Sequence, residues 1–275
     1  MKKVYIIAVS MMFCLPSIAQ EEVENESKSD TTRVNFGNKE IVVIEHEVEE
    51  DDFYIDEGDT IFTEKKKKKS EPHWAGVDLG FTMLMNSNFA TDFPNDKHWE
   101  NDPARSQTWN LNILEHKFNF GTPYVGLTTG LGFSFTSVAF KDNYVLMDSP
   151  DSLYAVIDTV NSYSKNKLRA SYLTVPLLLE FNTNADADKS FYFAAGVIGG
   201  VRLTSKVKRK GEFDGKNFTQ KNKGKYGLNP FRLDAAVRMG YSHFGVFANY
   251  NLLSMFDEGK TVPVYPLTFG LSLNF

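Results

Sequence analysis

Cysteine is almost missing from this sequence: the single copy in 275 residues is Cys14. It lies in an apolar run, residues 4–15, that follows Lys2 and Lys3 and gives way to Pro16 and the small-residue ending Ser17-Ile18-Ala19. That layout predicts a secretory signal over residues 1–19. Met11-Met12-Phe13 lack the small residue that a lipoprotein signal needs before its cysteine. Cleavage after Ala19 leaves no thiol, which excludes disulfides, thiolate metal sites and thiol catalysis in the exported chain. Long apolar runs are missing too. No later stretch reaches the roughly 18 uninterrupted apolar residues of a helical span. Histidine is scarce: His46, His73, His98, His116 and His243 show no zinc-binding spacing, and no Gly-x-Ser-x-Gly elbow accompanies them. No enzyme, metal or cofactor is expected. His116 alone falls well inside a predicted strand, where a lumen or bulge position accounts for it.

Charge divides what remains. Residues 21–62 hold 15 acidic and 3 basic side chains, a net −12, and residues 65–69 are an unbroken lysine run. Such a segment cannot form a core unaided, so residues 20–71 are expected to be a disordered periplasmic extension. Within it, Glu40-Ile41-Val42-Val43-Ile44-Glu45 and the shorter Phe53-Tyr54-Ile55 are β-prone and suited to adding a strand to a protein partner's sheet. After Glu71 the count is 20 basic to 18 acidic, nearly neutral and rich in aromatics.

From Trp74 on, apolar residues recur with period two, the signature of strands with two unlike faces. Val77, Leu79, Phe81 and Met83 oppose Asp78, Gly80 and Thr82; Leu127, Leu131, Phe133 and Phe135 oppose Thr128, Gly132 and Ser134. Phe231, Leu233, Ala235 and Val237 oppose Arg232, Asp234, Ala236 and Arg238, and the last strand ends on Phe275. Strands are predicted near 74–86, 107–120, 123–141, 167–182, 190–207, 227–242, 244–254 and 264–275. The connections alternate between long and short, with both ends of the strand array on the short-turn side. An even strand count in that arrangement predicts an all-β fold, an eight-stranded antiparallel transmembrane β-barrel over residues 72–275, in a bacterial outer membrane. A lipocalin-like soluble barrel would instead turn its apolar face inward.

The charged second face then lines a lumen. Asp78, Glu180, Arg202, Arg232, Asp234 and Arg238 are intolerable in hydrocarbon and are expected to pair inside the barrel, with glycines on that face leaving them room. A wide pore is not expected. Two segments break the pattern. Trp109, Leu111 and Ile113 share parity with Glu115 and Lys117, whereas Phe118 and Phe120 fall opposite, so a bulge is expected near Glu115-His116. Pro176 sits in the fourth strand, where it removes a ladder bond, and Leu177-Leu178-Leu179 blurs the parity.

These residues resemble the outer membrane β-barrel proteins of Bacteroidetes grouped with the PorT-like barrel domain. The resemblance rests on Thr31-Thr32-Arg33 with Gly37-Asn38-Lys39-Glu40-Ile41, His73-Trp74-Ala75-Gly76, Val175-Pro176-Leu177-Leu178-Leu179-Glu180-Phe181 and Ala195-Gly196-Val197-Ile198-Gly199-Gly200-Val201-Arg202. It continues in Leu228-Asn229-Pro230-Phe231-Arg232, Gly245-Val246-Phe247-Ala248-Asn249-Tyr250 and Tyr265-Pro266-Leu267-Thr268-Phe269-Gly270-Leu271. These are fold signatures rather than active-site motifs. The resemblance implies an outer-membrane location, makes Pro176 part of a pattern, and links one branch to protein secretion.

The functional expectation is a structural or interaction barrel with a periplasmic tail. A small channel, or a loop-mediated binder of a ligand such as lipopolysaccharide, is the first alternative, and a component related to PorT-type protein secretion, which the resemblance implies, is the second. Expected partners are outer-membrane lipids, the barrel-assembly machinery through the strand ending at Phe275, and a periplasmic protein through residues 21–71. The loop from 206 to 225 carries eight basic residues against Glu212 and Asp214. Lys206, Lys208, Arg209 and Lys210 at its membrane-proximal end are the candidate anionic-lipid contacts. Asp92, Asp96, Glu100 and Asp102 match no calcium-loop spacing and are read as solvent-facing. Nucleic-acid binding has no support.

Overall fold

The computed structural model describes residues 31–36, 39–44, 71–213 and 216–275. The first of these form a hairpin by themselves: β1 (Thr31–Phe36) pairs antiparallel with β2 (Lys39–Ile44), so the β-prone Ile41-Val42-Val43 finds its partner strand within the chain. The signal-like residues 1–19, Phe53-Tyr54-Ile55 and the lysine run lie outside the described residues, as does most of the expected disordered extension.

Among the described residues, eight long strands close on themselves. In ring order they are β3 (Gly76–Met85), β4 (Gln107–Asn119), β5 (Val125–Ala139), β8 (Ser162–Asn182), β9 (Phe191–Phe213), β11 (Phe231–Tyr241), β12 (Phe244–Asn251) and β13 (Tyr265–Asn274), which returns to β3. Every pairing is antiparallel. Closure leaves no barrel edge unbonded, a requirement in lipid, where water cannot serve an open backbone group. Among the described residues no helix is long and apolar enough to cross a membrane; the crossing elements are strands.

Alternation sets which side chains meet lipid. Leu79 (62% exposed), Leu271 (68%) and Phe244 (72%) point outward, while Asp78, Thr82, Arg238 and Thr268 on the opposite face are buried. This excludes the lipocalin-like arrangement. Near the short turns, Phe118, Phe120, Tyr124, Phe181, Phe191 and Tyr241 form an exposed aromatic girdle of the kind that marks a membrane interface.

The irregular strands resolve in ways the sequence did not fix. The bulge in β4 falls at Ile113, not at Glu115-His116: Asn112 pairs with Gly132 and Leu114 with Leu131. From that point Glu115 and Lys117 turn inward. His116 turns out, edge-on to Phe118, so it is neither a lumen nor a bulge residue. In β8 the alternation is regular, with Val175, Leu177, Leu179 and Phe181 outside and Pro176, Leu178 and Glu180 inside. Proline is accommodated because the β5–β8 ladder passes from Thr129↔Leu177 to Gly132↔Thr174, leaving Pro176 without a rung on that side. A second bulge, at Leu203, reverses the parity of β9: Tyr172 pairs with Arg202 and Ser171 with Thr204.

The long connections are on the side away from the start of β3 and the end of β13 and are themselves folded. The link after β5 contains the hairpin β6 (Tyr144–Asp148) and β7 (Leu153–Ile157). The basic segment 206–225, expected as a loop, is instead the outer half of β9 turning into β10 (Lys216–Lys223), and it is bonded on its other edge to the outer end of β8. Leu84, Phe93, Trp99, Phe140, Leu153, Leu228, Phe256 and Val264 gather from four connections and the outer strand ends into one apolar core.

Candidate functional site

The lumen holds three charge clusters. Nearest the middle of the barrel, Arg232 on β11 donates through Nε to both carboxylate oxygens of Asp234, at 2.9 and 2.7 Å, and lies over the Tyr172 ring. The two residues are two apart on one strand, so period-two geometry alone places them on one face. The space beside them, bounded by Thr136, Tyr172, Asn251, Met255 and Thr268, measures about 10 Å³, room for at most one water.

Closer to the short-turn end, Arg238 grips Asp78 with two parallel bonds of 2.9 Å. Asp78 also accepts from Asn110 and Asn112, both at 3.1 Å. A buried carboxylate with four donors is fully solvated by protein, which is the condition for keeping it charged out of water.

The third cluster seals the mouth. Residues 71–75 enter the barrel ahead of β3. The Trp74 and Ala75 backbone N–H groups donate to Glu115 at 2.8 and 2.6 Å, and the His73 N–H donates to Glu180 at 3.3 Å. Glu180 also contacts His73 Nδ1 at 3.0 Å and accepts from Lys117 Nζ at 3.4 Å and Thr128 Oγ1 at 2.7 Å. The His73 ring stacks on Tyr192 at 4.2 Å, and the Trp74 ring packs with Leu178, Ala194, Ile198 and Ala236 under the Arg238 guanidinium. Inward glycines make the space: a Cβ at Gly126 would lie 2.8 Å from Lys117 Cε, and one at Gly245 would lie 2.0 Å from the Tyr192 hydroxyl.

Of the sequence candidates, Asp78 meets Arg238, Asp234 meets Arg232, and Glu180 meets His73 and Lys117. Arg202 stands apart from the carboxylates, donating to the backbone oxygens of Lys225 and Leu228 at the outer rim. His73 precedes the first strand and carried no alternation signal. Lys117 had the wrong apparent parity until the Ile113 bulge is taken into account.

The outer end is closed by the loop core. Trp99, fully buried, lies 4.4 Å from Phe256 and donates its indole N–H to Thr261 at 2.9 Å. Lys260 ties this cap across to the Ser149 and Pro150 carbonyls. Burial pushes the neighbouring His98 imidazole below its ordinary range, against the opposing pull of Asp96. The acidic residues of the first connection do not converge: Glu100 pairs with Lys141 at 3.1 Å, which lowers its pKa, and Asp102 accepts from Ala104 N–H at the start of a short 3₁₀ turn. Among the described residues no group of acidic or histidine side chains is arranged to hold a metal ion.

A family model for the outer membrane protein beta-barrel domain matches residues 73–258, more than half of the chain. The chain belongs to that family. It is therefore an outer-membrane β-barrel, with the short turns facing the periplasm and the folded connections outside the cell, as is general for such barrels. Two crystal structures of Ail, the attachment invasion locus protein of Yersinia pestis, one of them in complex with the heparin analogue sucrose octasulfate, align over 73% of this chain. They are 13% identical, are covered over 95% and 99% of their own length, and give TM-scores of 0.31 and 0.29. No curated protein matches the sequence.

In this outer-membrane barrel the candidate lipid contacts divide. Lys206, Lys208 and Lys210 share the outward face of β9 beyond the Leu203 bulge. Arg209 points to the other side, toward the Tyr163 ring. The four do not form one surface.

Proposed function

We propose that this protein is a non-conducting interaction barrel of the outer membrane, which works through its folded outer surface and its N-terminal extension rather than through its lumen. The observation that carries this reading is the closure of the lumen at three levels: Trp74 and His73 at the periplasmic mouth, the Asp78–Arg238 and Asp234–Arg232 pairs within, and the Trp99 core outside. A small channel would need a continuous wet path past these groups. Catalysis has no support either. His73 is engaged by Glu180 and Tyr192, His116 faces outward, His243 lies on an exposed turn beside Asp188, and His46 lies outside the described residues.

The motifs His73-Trp74-Ala75-Gly76 and Val175-Pro176-Leu177-Leu178-Leu179-Glu180-Phe181 support a finer placement among the PorT-like barrels of Bacteroidetes. On that reading residues 20–71 follow a cleaved signal and meet a protein partner in the periplasm. Planar bilayers carrying the purified full chain test the main proposal. Conductance is expected to stay at the background of the empty bilayer. Reproducible single-channel steps would overturn it.

A further inference from the structure

The outer halves of β8 and β9, with β10, form a three-stranded arm, and its outward face carries basic residues in register. Lys167 of β8 stands opposite Lys208 of β9, which stands opposite Lys221 of β10. One rung nearer the membrane, Arg169, Lys206 and Lys223 repeat the arrangement. One rung farther out, Lys165 faces Lys210. Side chains directly opposite on one face of a sheet sit about 5 Å apart, and like charges there destabilise the pairing. Among the described residues none of these cations forms an ion pair. Lys167 donates instead to the backbone oxygen of Arg105, drawing one more cation to the edge of the patch. A sheet face of this kind is stable against its own repulsion when an anion covers it.

Its height on the barrel says which anion. The next outward pair toward the membrane is Ser171 with Thr204, hydroxyl to hydroxyl at 3.0 Å, and below it come the lipid-facing Leu173, Val175 and Val201. The cations thus stand one residue pair above the apolar band, at headgroup level in the outer leaflet. Below and beside them an open groove of about 350 Å³ runs between Lys167, Arg169 and Lys206 on one side and the stacked Trp109 and Phe135 on the other. Cations above an aromatic floor suit an amphiphile with anionic groups on a sugar or glycerol head and acyl chains directed along the wall.

We infer that the outward face of the β8–β9–β10 arm is a docking site for the phosphate groups of a phosphorylated glycolipid of the outer leaflet, held by the Lys167–Lys208–Lys221 and Arg169–Lys206–Lys223 rungs. Lysine ammonium groups neutralise phosphate as point charges, and Arg169 can add a bidentate contact. The site is independent of the lumen, so a conducting barrel would leave it standing.

The test uses the full chain in neutral detergent micelles, with bisphosphorylated lipid A as probe and its dephosphorylated form for comparison. Two triple variants remove equal charge: Lys167→Gln/Lys208→Gln/Lys221→Gln on the face, and Arg209→Gln/Lys216→Gln/Lys225→Gln off it. The wild type is expected to prefer the phosphorylated lipid, and the on-face variant to lose about tenfold or more of that affinity while the off-face variant keeps it. Equal binding of the two lipids by the wild type, a comparison that needs no variant, would overturn the proposal. So would equal losses in both variants, or tighter binding of a soluble phosphosugar than of the lipid, which would assign the face to a soluble polyanion.

Discussion

Arg238 and Asp78, 160 residues apart in sequence, meet across the barrel lumen through two 2.9 Å bonds, each side chain only 1% exposed. The pair comes from β11 and β3, which are separated in the ring by β12 and β13, so it ties together parts of the wall that share no hydrogen-bonded ladder. Removing one partner leaves the other charged and buried, a defect of about 3–5 kcal/mol. Asp78→Ala is therefore expected to lower the denaturant midpoint of the heat-modifiable barrel band markedly. The double variant Asp78→Leu/Arg238→Met, which removes both charges, should recover most of that loss. A double variant no better than the single one would show that the bonds to Asn110 and Asn112, rather than the charge balance, hold this level of the barrel.

The outer cap should come apart separately from the wall. Trp99 is the centre of the apolar cluster that joins four connections, and its removal opens a cavity of the kind that costs about 3–5 kcal/mol in a core. Trp99→Ala is expected to make the connections at 86–106, 140–161 and 252–264 sensitive to proteases added outside the membrane. The strand core should stay protected and heat-modifiable. Loss of the barrel band along with the cap would show that the two fold as a unit.

How much of this could be read from the sequence follows from what each feature depends on. Period-two alternation between lipid and lumen is strict, so the eight strands, their even number and the side of the long connections were legible from residues such as Leu79 against Asp78 and Val237 against Arg238. Which cation meets which carboxylate depends on the stagger of the closed sheet, which no local pattern encodes; Arg202, on the correct face by alternation, ends at the rim with backbone carbonyls. The bulges at Ile113 and Leu203 each reverse parity downstream. The first hid Lys117 from the lumen, and the second turned Lys206, Lys208 and Lys210, rather than Arg209, to the outward face. Lys165, Lys167 and Arg169 became significant only when β8 proved to extend past the membrane beside β9. The Trp99 cap carried no periodic signal at all, because its members come from irregular segments.

A pH effect is expected at one turn of the outer surface. The Asp158 carboxylate accepts from the Tyr163 hydroxyl at 2.6 Å, from Asn161 through N–H and side chain, and from Val160 N–H. These bonds, the tyrosine's foremost, hold its pKa well below the ordinary 3.8. A depressed carboxylate pKa gives stability that is fully present above the unfolded value and is lost as pH falls toward the folded one. The turn is thus expected to be unchanged between about pH 5 and 8 and to loosen only below about pH 4. The Val160 and Asn161 amide resonances, followed by titration, should show a low-pH inflection that moves up in Tyr163→Phe. An inflection unmoved by that substitution would mean that the phenol bond does not set the carboxylate's acidity.

The mouth and the interior should act as seals in series. Trp74 fills the space between Leu178, Ala194, Ile198 and Ala236, and its ring lies 5.1 Å beneath the Arg238 guanidinium. Trp74→Ala forfeits that packing and is expected to destabilise the barrel by about 3–5 kcal/mol, with Trp74→Phe costing less. It should not by itself let ions through, because Asp78 and Arg238 stay locked across the lumen and the Trp99 cap stays closed outside. Conductance in planar bilayers is therefore expected to remain at background in Trp74→Ala. It should rise only when the Asp78→Ala, Asp234→Ala and Trp99→Ala changes are added, which open the two inner pairs and the outer cap as well. Steps already present in Trp74→Ala would mean that the mouth alone holds the barrel shut, with the inner pair too mobile to block ions.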